Sequence, residues 1–430
     1  MSLPPGGYYV TINNPETGSR LAFGTLICAL APFSLGYFLS YLLRGANAII
    51  EQDLVADIGL SPAELGLVTA AYLGAFAVFQ LPLGILLDKY GPRRVQIALL
   101  SVAAVGTLLF SMSQSAGALT AGRAMIGLGF AGGLMASFKA VVIWIPEERR
   151  ALANALVMSS GAMGLLLATQ PLEIVTQIYG WRSVFVALAA VILLVALLIL
   201  TVVPERKSSA PAQSFFDQFR GVGAIFSDRR YWAITPLLAT TAGSHVAIQT
   251  LWAGPWLRDV GGLGRSVVAE HLLIMAMAFF VGILLTGVVA DWFVRRGVKL
   301  LNVMIFFTLL YLSSQVGIVL GINNEFMLPL WFVFGMLGQV AVLAYPWLAT
   351  QFGAAQSGRV HTAANLAIFG AAFSLQYVIG AIIELFPAAA SGGYPPHSYQ
   401  VAFGVTLLLQ LLALAWYFLH LRLLNIASAP

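Results

Sequence analysis

The sequence predicts an all-α integral membrane protein with twelve transmembrane helices in two pseudo-symmetric six-helix bundles. Hydrophobic residues make up 60% of the 430 residues and charged residues only 9%, whereas soluble domains contain about 25% charged residues. Apolar runs of about 20 residues, the length that crosses a bilayer core as a helix, recur along the whole chain. A polar stretch near the middle separates six runs from six. This composition excludes a soluble enzyme.

Each predicted span is an apolar run bounded by charged residues, Gly or Pro. The spans cover residues 21–50, 63–87, 95–114, 117–145, 151–178, 183–203, 231–256, 269–291, 300–321, 327–351, 361–386 and 400–422. Residues 1–20 and 423–430 are then tails, and 204–230, which contains Lys207-Ser208-Ser209-Ala210-Pro211, is a linker between halves. The first twenty residues lack the basic-then-apolar layout of a signal peptide, so we expect the first span to be retained.

The distribution of basic residues predicts which loops face the cytoplasm. If the amino terminus is cytoplasmic, 16 of the 22 Lys and Arg residues lie in cytoplasmic segments. Arg182, Arg258 and Arg265 then lie outside, and Arg44, Arg123 and Lys139 fall within spans. The positive-inside rule therefore predicts a multi-pass protein of the plasma (inner) membrane with both termini in the cytoplasm. The net charge of +5 reflects this topology, and we expect no nucleic-acid partner.

Enzyme and cofactor chemistry find no support in the sequence. Cys28 is the single cysteine and lies in an apolar run without a partner at metal-ligand spacing, which favours a packing role. The histidines are scattered and no phosphate-binding loop occurs. We expect neither a cofactor nor an enzymatic activity.

The two halves share a motif at the end of their second spans. In the first half Gly84 and Asp88 are followed by Gly91, Arg93 and Arg94. Gly and Asp recur 203 residues later as Gly287 and Asp291, again before paired arginines, which indicates two related six-helix units. Gly84 permits close helix approach, Gly91 permits a tight turn, and the arginines are expected to pair with Asp88 or lipid phosphate.

With three further motifs, this loop resembles the major facilitator superfamily of secondary transporters. The other motifs are Arg123-Ala124-Met125-Ile126-Gly127, Pro146-Glu147-Glu148-Arg149 and Gly180-Trp181-Arg182. The resemblance implies a gating role for Gly84, Asp88, Gly91, Arg93, Arg94 and the echo Asp291, and a gating or coupling role for Arg123. The alternative, a basic loop that only sets topology, explains the arginines but not the repeated Gly and Asp.

Arg44 and Lys139 are the candidate anion-binding cations, because a charge at the centre of a span costs about 2.5–3.5 kcal/mol. Arg44 followed by Asn47 is similar to the anion:cation symporter and organophosphate:phosphate antiporter branches, which implies an anion site with Arg44, Asn47, the nearby Tyr41 and, from the fourth span, Lys139. The alternatives are that the first span ends at Leu43 and Arg44 snorkels outward, and that Lys139 also snorkels.

The seventh span limits the resemblance and adds candidates of its own. It lacks the second arginine of the antiporter branch, and Leu43 stands where the symporter branch has Asp, so a smaller or carboxylate-bearing solute is favoured over a phosphate ester. It offers His245, Gln249 and Trp252 for substrate binding, with packing as the alternative. Further candidate cavity contacts are Gln339, Tyr345, Asn365, Gln376 and Tyr377. Glu173, Glu270 and Glu384 are candidate proton-coupling acids and possible partners of Arg123, although exposure at span ends is the simpler interpretation.

Together these features predict a secondary active transporter that moves a small organic anion by alternating access. The expected partners are the anionic solute, protons or an exchanged counter-ion, and the lipid bilayer, with the chain acting as a monomer. Two alternatives remain. A multidrug/proton antiporter usually carries Gly-Pro followed by a Gly pair in span five, which Ser159–Gly164 lacks. A transporter-like receptor is compatible with every motif.

Overall fold

The computed structural model describes residues 21–205, 215–321, 324–353, 356–389 and 393–427, and within these ranges the chain is helical with short connections. The first half contains α1 (Leu21–Gly45), α2 (Asn47–Ile58), α3 (Pro62–Met112), α4 (Ala116–Phe130), α5 (Gly133–Trp144), α6 (Glu147–Leu167), α7 (Gln170–Tyr179) and α8 (Trp181–Val202). Between the halves lies α9 (Phe215–Phe226). The second half contains α10 (Arg229–Ala247), a π-helical turn (Ile248–Trp252), α11 (Ala253–Asp259), α12 (Arg265–Arg295), α13 (Leu300–Leu320), α14 (Asn324–Leu337), a 3₁₀ turn (Val340–Leu343), α15 (Ala344–Phe352), α16 (Ser357–Glu384) and α17 (Pro396–Ala427).

Within the described residues, nine helical segments are long and apolar enough to cross a membrane. One of them, α3, has 51 residues and includes both the second and third predicted spans. Gly91 separates these spans, because its φ of 77° lies in the left-handed region that favours glycine. The first and seventh predicted spans correspond to interrupted helices. The total of twelve membrane spans therefore stays a prediction, and the described helices are compatible with it.

The first membrane helix is longer than the predicted span 21–50. Helix α1 ends at Gly45, and α2 continues after the single residue Ala46 as far as Ile58. Asn47 is fully buried at this junction, where its side-chain amide donates to Thr69 Oγ1 at 2.8 Å. Arg44 consequently lies near the middle of the combined helix, and the chain does not leave the helix at Leu43.

The seventh predicted span is α10 and α11 joined by the π-helical turn Ile248–Trp252. This turn carries both Gln249 and Trp252, and the backbone N–H of Ala253 bonds to the Ile248 carbonyl five residues earlier. Such turns widen a helix locally and are often found at functional sites. The side chain of Gln249 in this turn still contacts His245 at the end of α10.

The two halves meet along α3 and α16. A Cβ atom at Gly380 would lie 2.2 Å from the Pro62 carbonyl, and one at Gly66 would lie 2.7 Å from the Gln376 carbonyl. Glycine at these positions lets the two backbones approach closely, as in other membrane helix pairs. Gly74 approaches the Phe373 ring in the same way. This seam brings the central residues of both halves together.

The predicted linker and tails fall partly outside the described residues. Residues 1–20, Lys207 to Pro211 and residues 428–430 are among those that the structure does not describe. Helix α9 lies within the predicted linker 204–230, and α17 continues past residue 422 to Ala427. The domain boundaries thus stay predictions. The side chain of Cys28 also lies outside the described part.

Candidate functional site

Arg44 lies at the centre of a ring cage formed by Tyr41, Tyr72, Phe76 and Phe369. The guanidinium carbon is 4.6 Å from the Tyr41 ring centroid, 5.7 Å from Tyr72, 5.0 Å from Phe76 and 5.4 Å from Phe369. Three rings come from the first half and Phe369 from the second, where it also contacts Phe76 at 4.6 Å between centroids. Cation–π contacts of this kind are stabilising by about 0.5–2 kcal/mol each when they are desolvated.

The charge of Arg44 has no carboxylate partner among the described residues. The side chain is 9% exposed, its Nε atom has no hydrogen-bond partner, and the ion pairs of the described chain do not include it. A buried cation without a counter-charge is costly, and rings compensate only part of that cost. An anion that approaches the guanidinium would supply the missing charge through charge-assisted hydrogen bonds.

A small cavity lies at the junction of the halves, and its wall begins at Gly45, the residue after Arg44. It measures about 10 Å³ and is lined by Gly45, Ala48 and Ile49 of the first helix, by α6 and α12, and by Gln249. The Nε2 atom of Gln249 has no hydrogen-bond partner. Asn47 contributes another free polar atom, because its Oδ1 is unpartnered although its amide nitrogen is bonded to Thr69. Gln249 and Asn47 are therefore the amides available near the cation.

The other two candidates from the seventh span lie elsewhere. Trp252 is buried against α16, where its indole donates to the Gln376 carbonyl at 2.9 Å, and it lines a separate cavity on the predicted outer face. His245 is 1% exposed and packs inside the second half against the rings of Phe279, Tyr311 and Phe334. A Cβ atom at Gly338 would lie 2.0 Å from the imidazole. This surrounding resembles a packing site more than a cavity wall.

Lys139 lies with Asp88, not beside Arg44. Its Nζ forms an ion pair with Asp88 Oδ1, and the Lys139 side chain is 22% exposed. Asp88 is twelve residues beyond Phe76 on α3, which corresponds to roughly 18 Å along a helix. The expectation of two cations facing one cavity is therefore not met by this pair. Instead, the structure joins a candidate substrate residue to the gating motif.

The arginines of the motif pair with Glu205 instead of the expected Asp88. Arg94 contacts the Glu205 carboxylate directly, Arg93 lies 3.6 Å from it, and Arg93 also donates to the Leu200 carbonyl at the end of α8. The reason is that Lys139 already occupies Asp88. In the second half, Asp291 pairs with Arg295 one helical turn away, and both side chains are exposed. The repeated Gly-Asp motif thus has different partners in the two halves.

Arg123 is a second buried cation without a carboxylate in the described chain. It is 1% exposed, donates to the Leu43 carbonyl at 2.7 Å and lies over the Phe110 ring at 4.9 Å. The three acids considered as its partners bind elsewhere: Glu173 to Arg265, Glu270 to Gln170, and Glu384 to Ser61 and Ala63. Because its carbonyl acceptor belongs to the residue before Arg44, Arg123 supports the position of the Arg44 segment of α1.

A group of ion pairs, here called the outer lattice, joins the halves on the predicted outer face. It consists of Arg258 and Arg265 of the second half with Glu51, Asp53 and Glu173 of the first. Arg258 Nη1 lies 2.5 Å from Glu51, and Arg265 lies 2.7 Å from Asp53 and 2.5 Å from Glu173. Glu51 and Glu173 are 4% and 3% exposed at their side chains. The lattice therefore links the two halves through ion pairs on this face.

Above the lattice is an open cavity of about 800 Å³. Its wall includes Asp259, which accepts hydrogen bonds from the Tyr399 hydroxyl at 2.6 Å and the Tyr394 backbone at 3.1 Å and also contacts Arg258. Burial, together with the carboxylates of Glu384 and Asp259, raises the pKa of Tyr394 above its ordinary value. The carboxylate of Asp259 is thus bonded to other residues of the cavity wall.

The remaining cavity candidates also have partners or neighbours within the second half. The Tyr345 hydroxyl donates to Asn365 at 2.5 Å, and Gln376 is buried beneath Trp252 with its side-chain amide unpartnered. Tyr377 is 42% exposed. Sequence reasoning did not single out Glu51, Asp53, Arg258 or the aromatic pair Phe76 and Phe369. The one signal that could have drawn attention to the acids was their position directly after an apolar run.

Comparison with known proteins relates the whole architecture to one family. A family model described as the Major Facilitator Superfamily matches residues 33–367. Among solved structures, a bacterial homologue of the human lysosomal transporter Spinster in an inward-facing, unoccupied conformation has a TM-score of 0.68 at 17% identity, over 93% of this chain and 97% of that one. A nucleoside transporter has a TM-score of 0.71 at 15% identity, over 90% and 99%. These likenesses concern the fold.

Curated relatives are identical to the chain at about a quarter of the aligned positions. A probable sulfoacetate transporter of Cupriavidus necator is 24% identical over 364 residues, 79% of this chain and 84% of that protein. A D-galactonate transporter of Escherichia coli O6:H1 is 25% identical over 60% of this chain and 66% of its own length. A probable galactarate/D-glucarate transporter of Bacillus subtilis is 25% identical over 60% and 63%. The chain thus spans less than two thirds of the last two.

Proposed function

The chain belongs to the major facilitator superfamily, and from this premise we propose that it is a secondary active transporter that moves a small organic anion by alternating access. Membership makes it a multi-pass integral membrane protein of a transporter family and not an enzyme. The substrate, the mechanism, the inner-membrane location and the cytoplasmic termini belong to the proposal.

The observation that carries the proposal is the unpaired charge of Arg44 at the centre of the first membrane helix. Nothing in the described chain neutralises it, and the cage around it includes a ring from each half. A bound anion would restore electroneutrality there, which gives the anion a free energy of binding that a neutral solute lacks. Asn47, Tyr41 and Gln249 are the neighbouring contacts that we assign to the substrate.

The named relatives support an anionic substrate. The solutes in the names of these relatives are sulfoacetate, D-galactonate and galactarate or D-glucarate, and each of them has a carboxylate or sulfonate group. These solutes differ in size and in hydroxyl content but share an acidic head. This common feature favours the organic anion over a multidrug substrate, which is usually cationic or neutral.

The outer lattice supports alternating access. To admit solute from outside, the halves must separate at Arg258 and Arg265, and the freed charges would then be hydrated in the open cavity. We assign the structure to the outside-closed state of the cycle. Asp88 and Lys139 form the corresponding device on the predicted cytoplasmic side, with Gly84, Gly91, Arg93 and Arg94 supporting the loop.

Coupling to protons or to an exchanged counter-ion completes the proposal. The acidic residues of the outer lattice are candidate proton carriers, because each must change its environment when the lattice opens. His245 and Trp252 are assigned to helix packing beside the path, given their neighbours. The chain is proposed to act as a monomer, since all elements of the path lie in one chain.

The test is solute counterflow in proteoliposomes with an imposed proton gradient, using a panel of carboxylates, sulfonates and phosphate esters. Arg44→Gln should abolish anion counterflow, and Arg44→Lys should retain a fraction of it. The matched control is Arg229→Gln, which removes an exposed arginine far from the cage and should transport normally. Uptake of only cations or neutral solutes would contradict the anion assignment, and full activity of Arg44→Gln would contradict the role of Arg44.

A further inference from the structure

The surroundings of Arg44 provide far more ring surface than hydrogen-bonding groups. Phe76 and Phe369 have no polar side-chain atom, and the Tyr72 hydroxyl is already bonded to Ser40, at 3.1 Å from its side chain and 3.2 Å from its carbonyl. The Nε–H group at the edge of the guanidinium has no hydrogen-bond partner. An anionic head would bind at that edge, and the body of the solute would lie against the rings.

The neighbouring polar groups are mostly satisfied within the protein. The Asn47 amide nitrogen donates to Thr69, and Thr69 in turn donates to the Leu65 carbonyl. Asn365, one turn from Phe369, accepts from Tyr345. The hydroxyl of Tyr41, the fourth ring of the cage, is hydrogen-bonded to Tyr37. Among the substrate contacts assigned above, the atoms without a partner are the Asn47 Oδ1 acceptor and the Gln249 Nε2 donor. The amide of Gln376 is also free, but it lies seven residues, roughly 10 Å, beyond Phe369 along α16.

The wall of the small cavity at the junction of the halves is also mostly apolar. Its wall contains the apolar residues Ala48, Ile49, Leu165, Ala168, Leu272, Met275 and Ala276 together with Gly45. Thr169, one of its two polar residues, donates its hydroxyl to the Leu166 carbonyl near the end of α6. An acid with four or five hydroxyl groups would therefore leave most of them without partners, and each unpaired buried hydroxyl lowers affinity.

We propose that the Arg44 site selects anions with a compact, hydroxyl-poor body over polyhydroxylated acids. The inference rests on the proposed function, in which Arg44 binds the anionic head, and it adds what the rest of the solute must be. Specificity of this kind arises because a polar substrate group is rejected where the site offers it no partner.

A matched pair of sulfonates tests the selection. Propanesulfonate and dihydroxypropanesulfonate differ only in two hydroxyl groups, and both remain charged at neutral pH, so neither crosses the bilayer as a neutral acid. We expect propanesulfonate to compete for counterflow at a concentration at least about tenfold lower than its dihydroxy analogue. Hexanoate and gluconate form a second pair with carboxylate heads, and the same order is expected.

A hydroxyl added to the cage sharpens the test. In Phe369→Tyr the ring stays in place and gains one polar atom near the solute, so the ratio within the sulfonate pair should fall by a factor of about three or more. Phe373→Tyr is the matched control, because it changes the next ring of the same helix, which packs on Gly74 and not over Arg44. This control should keep the wild-type ratio.

The outcomes separate the two proposals. Equal competition within both pairs, or a preference for the hydroxylated members, would overturn the hydroxyl-poor selection while leaving the anion site intact. Competition by none of the four anions would overturn the transport proposal itself, and the selection with it. The ratio of competing concentrations measured with the wild type tests the hydroxyl-poor selection even if Phe369→Tyr does not reach the membrane.

Discussion

The predicted outer and cytoplasmic faces use their ion pairs differently. On the outer face, Arg258 and Arg265 reach from the second half to Glu51, Asp53 and Glu173 of the first. On the cytoplasmic face, Asp88 with Lys139 and Asp291 with Arg295 are pairs within one half, and Arg94 pairs with Glu205 at the start of the predicted linker. Pairs that cross the halves must break during a transport cycle, whereas pairs within a half can persist. The difference is what the proposed outside-closed state rests on.

The largest effect is expected from reversing a charge in the outer lattice. Arg258→Glu places a second carboxylate beside the buried Glu51, and losing a buried pair of this type costs about 3–5 kcal/mol. The outside-closed state should therefore become a minor one. The measurement is labelling of Ala48→Cys, a buried residue in the wall of the small cavity at the junction of the halves, by an impermeant thiol reagent in a Cys28→Ser background.

The charge swap is the control for that experiment. Combining Arg258→Glu with Glu51→Arg restores opposite charges across the halves, so labelling should return toward the level of the parent. Equal labelling in the parent, the reversal and the swap would show that the lattice does not hold the outer face closed.

A smaller effect is expected for Asp88→Asn. The substitution removes a partly exposed ion pair within one half, so the fold and surface expression should be retained. Uptake should fall severalfold, because Lys139 loses its partner and the loop between the second and third spans loses its anchor. Unchanged transport at normal expression would remove the gating role of Asp88.

The smallest effect is expected for Asp291→Asn, the matching position in the second half. Its pair with Arg295 is exposed and lies within one helix, and pairs of that kind contribute about 0.3–0.5 kcal/mol. Uptake and thermal stability of the purified protein should stay close to those of the parent. A loss as large as that of Asp88→Asn would mean that the two halves use the repeated motif in the same way.

The sequence predicted those features that depend only on residues close together in the chain. Apolar runs predicted the membrane helices because burial in lipid requires about 20 apolar residues, and the isolated Arg44 stood out because a charge in a span is costly. The same reasoning ended the first span at residue 50, since Glu51 and Asp53 follow. The helix continues to Ile58 because arginines some two hundred residues away neutralise these acids.

Partnerships between distant residues could not be predicted from local patterns. Lys139 and Asp88 are 51 residues apart, and the sequence offered no reason to prefer that pair over Asp88 with Arg93. Phe369 joins the cage only because α16 packs along α3. His245 lies among rings of the second half that no local pattern indicated, although its side chain still contacts Gln249 of the π-helical turn, as expected for residues on one helical face.

Direct binding of an anion to the purified protein tests the central claim, which is that Arg44 supplies the charge that binds the substrate. Isothermal titration with propanesulfonate should give saturable binding to the wild type and to the control Arg229→Gln, a weaker signal for Arg44→Lys, and none for Arg44→Gln. Wild-type affinity in Arg44→Gln would contradict the account, because the binding charge would then lie elsewhere.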